Sequence, residues 1–168
     1  FAIEHWGVEP DIICLAKGLA SGLPLGAIIA RSELMVWEKG AHASTFGGNP
    51  ISCRASLKTI ELLRKKYMKN AAKVGAYMIK RLKAMQIKTP IIGDVRGKGL
   101  MIAAEIVESR KTKTKAPDIR DAIIQDCFKK GLLLLGCGDS AVRFSPSLIV
   151  TKQAADKALE IFEKVLKK

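Results

Sequence analysis

A long stretch of helical periodicity in the middle of the chain is the feature that most limits its possible folds. From Ile51 to about Met85, apolar residues recur at steps of three and four, the spacing of one face of an α-helix. Asn49 is suited to cap this helix and Pro50 to occupy its first position. One uninterrupted helix would reach roughly 50 Å, although the polar segment Lys65–Lys73 is also compatible with a break into two helices. A helix of that length links two domains and does not fold alone.

The segment before this helix has short apolar runs separated by glycine and proline. Asp11–Ala16 is an apolar run that ends at Lys17, and Ala27–Ala30 is a second one. Between them lies a glycine-rich passage from Gly18 to Gly26. Short apolar runs punctuated by turn residues predict buried β-strands joined by tight turns.

The segment after the helix has the pattern of a small α+β unit. Strands are predicted at Pro90–Arg96 and Leu100–Ile106, with a Gly-Lys-Gly turn between them. A second strand pair is predicted at Leu132–Leu135 and Ala141–Phe144. The loop Glu108–Pro117 is rich in basic residues, and we expect it to be exposed.

Two helices complete this unit. Asp118 is predicted to cap the first and Thr151 the second. Gly131 is predicted to end the first helix. The residues predicted to face inward are Ile119, Ile123, Cys127, Phe128, Ala155, Leu159, Phe162 and Leu166.

The chain has a formal net charge of +13 and four widely spaced cysteines. Its basic residues are spread along two amphipathic helices and a loop, whereas nucleic-acid-binding proteins usually concentrate them on one face. We therefore expect no nucleic acid as partner, and no membrane, because no apolar run is long enough to cross one. No cysteine pair has the spacing of a zinc site, so we expect no metal and a reducing cytoplasm. The chain opens on Phe1 in what reads as the middle of a domain, which indicates a fragment.

Lys17 is the first candidate for chemistry. It ends a predicted strand and is followed by small residues, Gly18, Ala20, Ser21 and Gly22. We expect this position to be partly desolvated, which favours the neutral amine that can attack an aldehyde. The small neighbours leave room for a flat ring. An ordinary lysine at a strand end is the alternative interpretation.

Two further segments can bind anions. The loop Ser44–Pro50 offers hydroxyls and backbone N–H groups before a helix, which suits a phosphate; a glycine-rich turn with a helix cap is the alternative. Arg143 alternates with apolar residues on a predicted strand and can present its guanidinium to a substrate carboxylate. An edge-strand arginine in water is the alternative for this residue.

Four blocks of sequence follow one another in an order that is specific to one enzyme family. They are Phe1–Ala27, Ser44–Pro50, Asp94–Ile102 (Asp-Val-Arg-Gly-Lys-Gly-Leu-Met-Ile) and Arg143–Leu148 (Arg-Phe-Ser-Pro-Ser-Leu). With these blocks the whole chain resembles the class III aminotransferases, which include the 4-aminobutyrate, ornithine and acetylornithine enzymes.

The resemblance implies an α/β protein of the pyridoxal-phosphate (PLP)-dependent transferase fold type I. Residues 1–50 would be the carboxy-terminal part of the large PLP-binding domain, and residues 51–85 the connecting helix. Residues 86–168 would form the small carboxy-terminal α+β domain. The family also implies pyridoxal 5'-phosphate as cofactor and a homodimer with its active sites at the interface.

The resemblance assigns a role to three residues. Lys17 matches the catalytic lysine that binds the cofactor covalently as an imine and then shuttles a proton. Thr45 matches the threonine that binds the cofactor phosphate in the neighbouring subunit's site. Arg143 matches the arginine that binds the substrate carboxylate, which is the distal carboxylate of a 4-amino acid.

Three residues depart from the usual pattern of the family. Arg54 stands where alanine is usual, which would add a surface charge. Ser147 replaces the second proline of a Pro-Pro pair, which would leave the backbone beside Arg143 less rigid. Ser140 stands where asparagine is common.

The implied reaction is transfer of an amino group from a 4-aminobutyrate- or ornithine-like donor to a 2-oxo acid. A PLP-dependent racemase or epimerase on the same scaffold is an alternative, and a non-catalytic basic protein is a second one. The family's aspartate that pairs with the pyridine nitrogen would precede Phe1. Without it the ring is a poor electron sink, so we expect these 168 residues alone to lack transaminase activity.

Overall fold

A computed structural model of the chain describes residues 1–167 and separates into two compact units. The first unit is Phe1–Arg64, and the second begins at Lys65. The predicted domain boundaries at residues 50 and 85 stay a prediction.

The first unit contains a two-stranded antiparallel ribbon. Strands β1 (Ile12–Leu15) and β2 (Ala27–Ala30) pair in the register that joins Ile12 to Ala30. The two predicted strands are therefore confirmed, but the prediction that they are buried is wrong. Their residues are exposed or half-buried, because a ribbon of two strands leaves much of its surface open. Short 3₁₀ turns lie at Ala2–Trp6, Lys17–Ala20 and Ser32–Leu34.

Helix α1 (Pro50–Leu62) closes the first unit. The Asn49 side chain accepts hydrogen bonds from the backbone N–H groups of Ile51 (3.0 Å) and Ser52 (3.2 Å), so the predicted cap is confirmed. The apolar periodicity does not mark the buried face of this helix. Ser52 and Ser56 are buried, whereas Leu57 is 63% exposed.

A π-helical turn, Leu63–Tyr67, follows α1 and precedes helix α2 (Met68–Lys88). It overlaps the start of the polar segment Lys65–Lys73, at which the sequence was also compatible with a break into two helices. In α2 the periodicity is a reliable guide, and the residues it selects are buried: Val74, Met78, Leu82 and Met85.

The second unit is built on a four-stranded antiparallel sheet. Its strands are β3 (Ile92–Lys98), β4 (Met101–Ile106), β5 (Leu135–Cys137) and β6 (Ala141–Phe144), in the order β3-β4-β6-β5. Both predicted strand pairs are present, but β5 lies three residues later than predicted. The short turn to β6 fixes its position, since Leu135 pairs with Arg143 and Cys137 with Ala141.

Two further helices belong to this unit: α4 packs against α2, and α3 packs against α4. Helix α3 (Pro117–Lys129) begins at a proline, with Ala116 rather than the predicted Asp118 before its first residue. Proline suits that position because its φ is already helical and it needs no N–H partner. Helix α4 (Lys152–Leu166) is capped as predicted by Thr151, whose hydroxyl accepts from the backbone N–H of Ala154 at 3.2 Å.

The core of the second unit confirms most of the predicted inward residues. Ile123 and Cys127 of α3 are buried, as are Ala155, Leu159 and Phe162 of α4. Phe128 is 62% exposed and Ile119 is 39% exposed, so their predicted burial is wrong. Because successive helical residues are about 100° apart, Phe128 points away from the face that Ile123 and Cys127 bury. Within residues 1–167, no helix is both long and apolar enough to cross a membrane.

Candidate active site

Lys17 has an unusual backbone conformation. It directly follows the extended residue Ala16 after β1, and its own φ is 53°, in the left-handed region that non-glycine residues rarely adopt. Lys17 is exposed within residues 1–167, so the prediction that it is partly desolvated is wrong for the described part of the chain. Its amine has no hydrogen bond or ion pair with any other residue in the range 1–167. Lys17 therefore offers an accessible and unpartnered primary amine.

The turn that carries Lys17 is attached to helix α1. At the end of the turn, Ser21 also has a positive φ, of 51°, and its hydroxyl is hydrogen bonded to that of Thr59 at 2.8 Å. Ser52, Ser56 and Thr59 share one face of α1, because they lie four and three residues apart. Small side chains on this face permit the close approach of the turn, in which Ala20 is 1% exposed.

Thr45 lies in a turn, residues 45–48, that leads into the start of α1. The turn is closed by a hydrogen bond from the backbone N–H of Gly47 to the Ser44 carbonyl, at 3.1 Å, and Gly48 has a φ of 68°. Thr45 is exposed, and neither its hydroxyl nor its backbone N–H is bonded to another residue that the structure describes. The first N–H groups of α1 are occupied by the Asn49 cap. A phosphate at this loop would therefore be bound by Thr45 rather than by the helix end.

These residues fit the cofactor that the sequence implies. An amine that condenses with an aldehyde must be accessible, which Lys17 is. Gly18 has open space where a Cβ would stand, so a flat ring can lie beside the lysine. A hydroxyl donor for a phosphate is present at Thr45. Two of the groups that PLP requires, an amine for its aldehyde and a hydroxyl for its phosphate, are thus present.

Arg143 lies on β6, which is an interior strand and not the edge strand of the alternative interpretation. Its cross-strand neighbours are Ala103 on β4 and Leu135 on β5. The residue is half-buried, and no carboxylate among residues 1–167 is paired with it. It also borders a cavity of about 260 Å³ that is otherwise mostly apolar, with Leu132–Leu135 and Pro146 in its wall. An unpaired guanidinium in such a position can bind a carboxylate.

The three departures from the family pattern have distinct surroundings. Arg54 is exposed on α1, as expected of an added surface charge. Ser147 is exposed, and its carbonyl accepts a hydrogen bond from the N–H of Val150 at 2.9 Å. Ser140 is 1% exposed, and its hydroxyl has no hydrogen-bond partner within the described part of the chain.

One charged cluster near Arg143 received no role from the sequence. Arg96 Nη1 contacts Asp94 Oδ2 at 3.0 Å and Glu105 Oε2 at 2.5 Å. Hydrogen bonds to Asp94 and to Glu105 raise the pKa of Arg96 above its ordinary value. The sequence contains a signal for the contact between Asp94 and Arg96: they lie two residues apart on a predicted strand and therefore share one face.

The predicted site residues fall in both units. Lys17 and Thr45 belong to the first unit, where α1 supports both: the Lys17 turn is bonded to Thr59, and the Thr45 loop leads into its capped end. These two points of α1 are about 15 Å apart along the helix axis. Arg143 belongs to the second unit.

Known proteins that are similar to this chain include members of the enzyme family that the sequence blocks resemble. The acetylornithine aminotransferase of Caldanaerobacter subterraneus subsp. tengcongensis is 40% identical over 169 residues, which cover 99% of this chain and 40% of that enzyme. The leucine/methionine racemase of Thermococcus litoralis is also 40% identical, over 99% of this chain and 38% of the racemase. A structure of Plasmodium falciparum ornithine δ-aminotransferase superposes with a TM-score of 0.85 at 33% identity, covering 99% of this chain and 42% of that one.

The chain has the PLP-dependent transferase fold type I, represented by the end of the large α/β domain and the small carboxy-terminal α+β domain. Its sequence matches the aminotransferase class-III family over residues 1–166. The chain therefore belongs to the class III aminotransferases, a family of PLP-dependent enzymes, as the sequence blocks indicated. It spans about 40% of the length of the curated relatives named above.

Proposed function

We propose that this chain is part of a PLP-dependent aminotransferase that transfers an amino group from a 4-aminobutyrate- or ornithine-like donor to a 2-oxo acid. The observation that carries the proposal is the state of Lys17, an exposed and unpartnered amine on a left-handed backbone beside a glycine. The left-handed conformation costs a non-glycine residue roughly 1–2 kcal/mol. Strain of this kind concentrates at functional sites.

The cofactor supplies an aldehyde that condenses with primary amines and a ring that accepts an electron pair. Nζ of Lys17 removes the proton from the amine-bearing carbon of the donor. It then delivers this proton to the carbon that receives the amino group. Its long stem allows one amine to serve both positions. Thr45 Oγ1 binds the cofactor phosphate, and the Arg143 guanidinium binds and orients the donor carboxylate.

A homodimer is part of this proposal, because Thr45 is assigned to the site of the neighbouring subunit. Phe46 and Ile51, on either side of the loop, are large apolar residues and are 79% and 71% exposed. Such residues support an interface at this loop. We also propose a cytoplasmic location, in keeping with four free cysteines.

The decisive experiment traps the cofactor on the full-length enzyme. Borohydride reduction in the presence of PLP, followed by peptide mass mapping, is expected to label Lys17 and to give no label at this position in Lys17→Ala. Amino transfer should fall at least about 10²- to 10⁴-fold in that variant, the usual contribution of a general acid–base group. Lys39→Ala, which removes another exposed lysine of the first unit, should keep both label and activity. A label on a different residue would refute the assignment of Lys17, and no label at all would favour the non-catalytic basic protein.

A separate assay addresses the chain of 168 residues by itself. We propose that it lacks useful transaminase activity, because the family's aspartate for the pyridine nitrogen would precede Phe1. The purified chain should therefore show no turnover of 4-aminobutyrate and 2-oxoglutarate above the rate of free PLP. Turnover at enzyme-like rates would contradict this part of the proposal.

An amino-acid racemase is a second candidate, and the 40% identity to a leucine/methionine racemase favours considering it. A racemase would use Lys17 and Thr45 in the same way but return the proton to the donor carbon. Incubation of the full-length enzyme with one enantiomer of an amino acid, without any 2-oxo acid, separates the two reactions. Inversion supports the racemase, whereas dependence on an oxo acid supports the aminotransferase.

A further inference from the structure

The four-stranded sheet of the second unit has one face on the core and one face that its helices leave uncovered. Ile102 and Ala104 of β4 are buried on the side of α2 and α3, whereas Ala103 and Glu105 alternate with them and lie on the opposite face. We call this opposite face the open face. It carries all the charged groups of the Arg96 cluster and Arg143.

The strand register brings these charges close together. Arg96 pairs with Ala103, and Ala103 pairs on its other side with Arg143, so the two arginines flank one small residue. Glu105 lies two residues further along β4, diagonal to both of them. Diagonal neighbours on antiparallel strands are about 7–8 Å apart, which is within the reach of a glutamate and an arginine side chain.

The two arginines differ in their partners. Arg96 has two carboxylates, with Glu105 at 2.5 Å and Asp94 at 3.0 Å, and the Glu105 side chain is only 24% exposed. Arg143 has no carboxylate partner within residues 1–167, although Glu105 is its diagonal neighbour on β4. The distribution of ion pairs therefore holds Glu105 on one arginine and leaves the other available.

We infer that Arg96 is a positioning residue for the carboxylate site at Arg143: it holds Glu105 and so prevents this glutamate from occupying the Arg143 guanidinium. The inference rests on the proposed role of Arg143. If Arg96 is removed, Glu105 loses its partner and turns to the nearest unpaired arginine on the same face. A bound internal carboxylate then competes with the carboxylate of the donor.

The expected effect is a change in apparent affinity for one kind of substrate. A site that is blocked about nine-tenths of the time binds its ligand about tenfold more weakly. Arg96→Met in the full-length enzyme should raise KM for the amino-acid donor about tenfold and leave kcat near that of the wild type. KM for the matching amine that lacks the carboxylate should not change, because this amine makes no use of Arg143.

The double variant Arg96→Met/Glu105→Gln is the critical test. A neutral glutamine does not compete for Arg143, so KM for the amino acid should return to near its wild-type value. Lys98→Met removes a positive charge from the same face of β3 without removing the partner of Glu105, and it should leave KM unchanged. Arg96→Lys retains a cation beside Glu105, so its KM should stay close to the wild-type value; this variant also tests the inference if Arg96→Met does not fold.

The outcomes separate this inference from the proposed function. If Arg143→Met leaves KM for the amino acid unchanged, the proposed carboxylate site is wrong, and the inference is wrong with it. If Arg143→Met raises KM but Arg96→Met does not, only the inference fails. A double variant that is as defective as Arg96→Met alone would also overturn it, because the defect would then not depend on the Glu105 charge.

Discussion

Gly75 is the position at which one added carbon atom should most disturb the second unit. It is buried on α2 against the two-residue turn between β3 and β4. A Cβ built at Gly75 would lie 2.9 Å from Cα of Gly99 and closer still to the carbonyl carbon and oxygen of that residue. Real Cβ atoms essentially never approach other heavy atoms within 3.0 Å. Because the opposing atoms are backbone, no rotamer change can relieve the clash.

Two effects of Gly75→Ala oppose each other. In an exposed helix position the change would stabilise the protein by about 1 kcal/mol. Overpacking a well-packed core costs about 1–3 kcal/mol and occasionally more. Here the whole turn must move away from α2, so we place the cost at the upper end and expect a net loss of about 2 kcal/mol. The loss corresponds to a fall in Tm of roughly 8–16 °C for a unit of about 100 residues.

Urea unfolding and thermal melting, both followed by circular dichroism, measure this loss directly. Lys73→Ala, at an exposed position of the same helix, serves as the control and should change the free energy of unfolding by less than about 0.5 kcal/mol. If Gly75→Ala proves as stable as the wild type, or more stable, α2 does not approach the turn as closely as described. A close contact between Gly75 and the backbone of Gly99 would then be excluded.

Two further predictions concern polar groups in the second unit. Hydrogen bonds from Lys152 and then from Tyr77 hold the pKa of Asp156 below its ordinary value of 3.8. Stability from this carboxylate is therefore present above pH 3.8 and lost as the pH falls through the lowered pKa. Asp156→Asn should unfold more easily at neutral pH and should lose less stability on acidification. If chemical denaturation shows that both proteins lose the same free energy of unfolding on acidification, this prediction is wrong. Ser140→Ala should change the free energy of unfolding little or stabilise the protein, because the buried hydroxyl has no partner among residues 1–167; a loss above about 1 kcal/mol in urea unfolding would show that this hydroxyl is satisfied.

Much of the candidate site could be predicted from sequence because its residues occur in contiguous blocks. Lys17 with its small neighbours and Thr45 in its glycine-containing loop are local features, and so is the Asn49 cap. The order of the blocks along the chain was enough to identify the family. The cluster around Arg96 was not predicted, since the partner of this arginine comes from β4 and only pairing of the strands brings Glu105 to it.

The amino-acid sequence by itself determined the kinds of elements, most of their positions and the residues able to carry chemistry, because periodicity, capping and turn formation are local properties. Only the tertiary structure decided which surfaces meet. Helix α1 buries Ser52 and Ser56 rather than Leu57, since the turn bearing Lys17 can approach closely only where side chains are small. Likewise, β6 becomes an interior strand with Arg143 beside Ala103 through pairing between residues about forty positions apart, which no local pattern specifies.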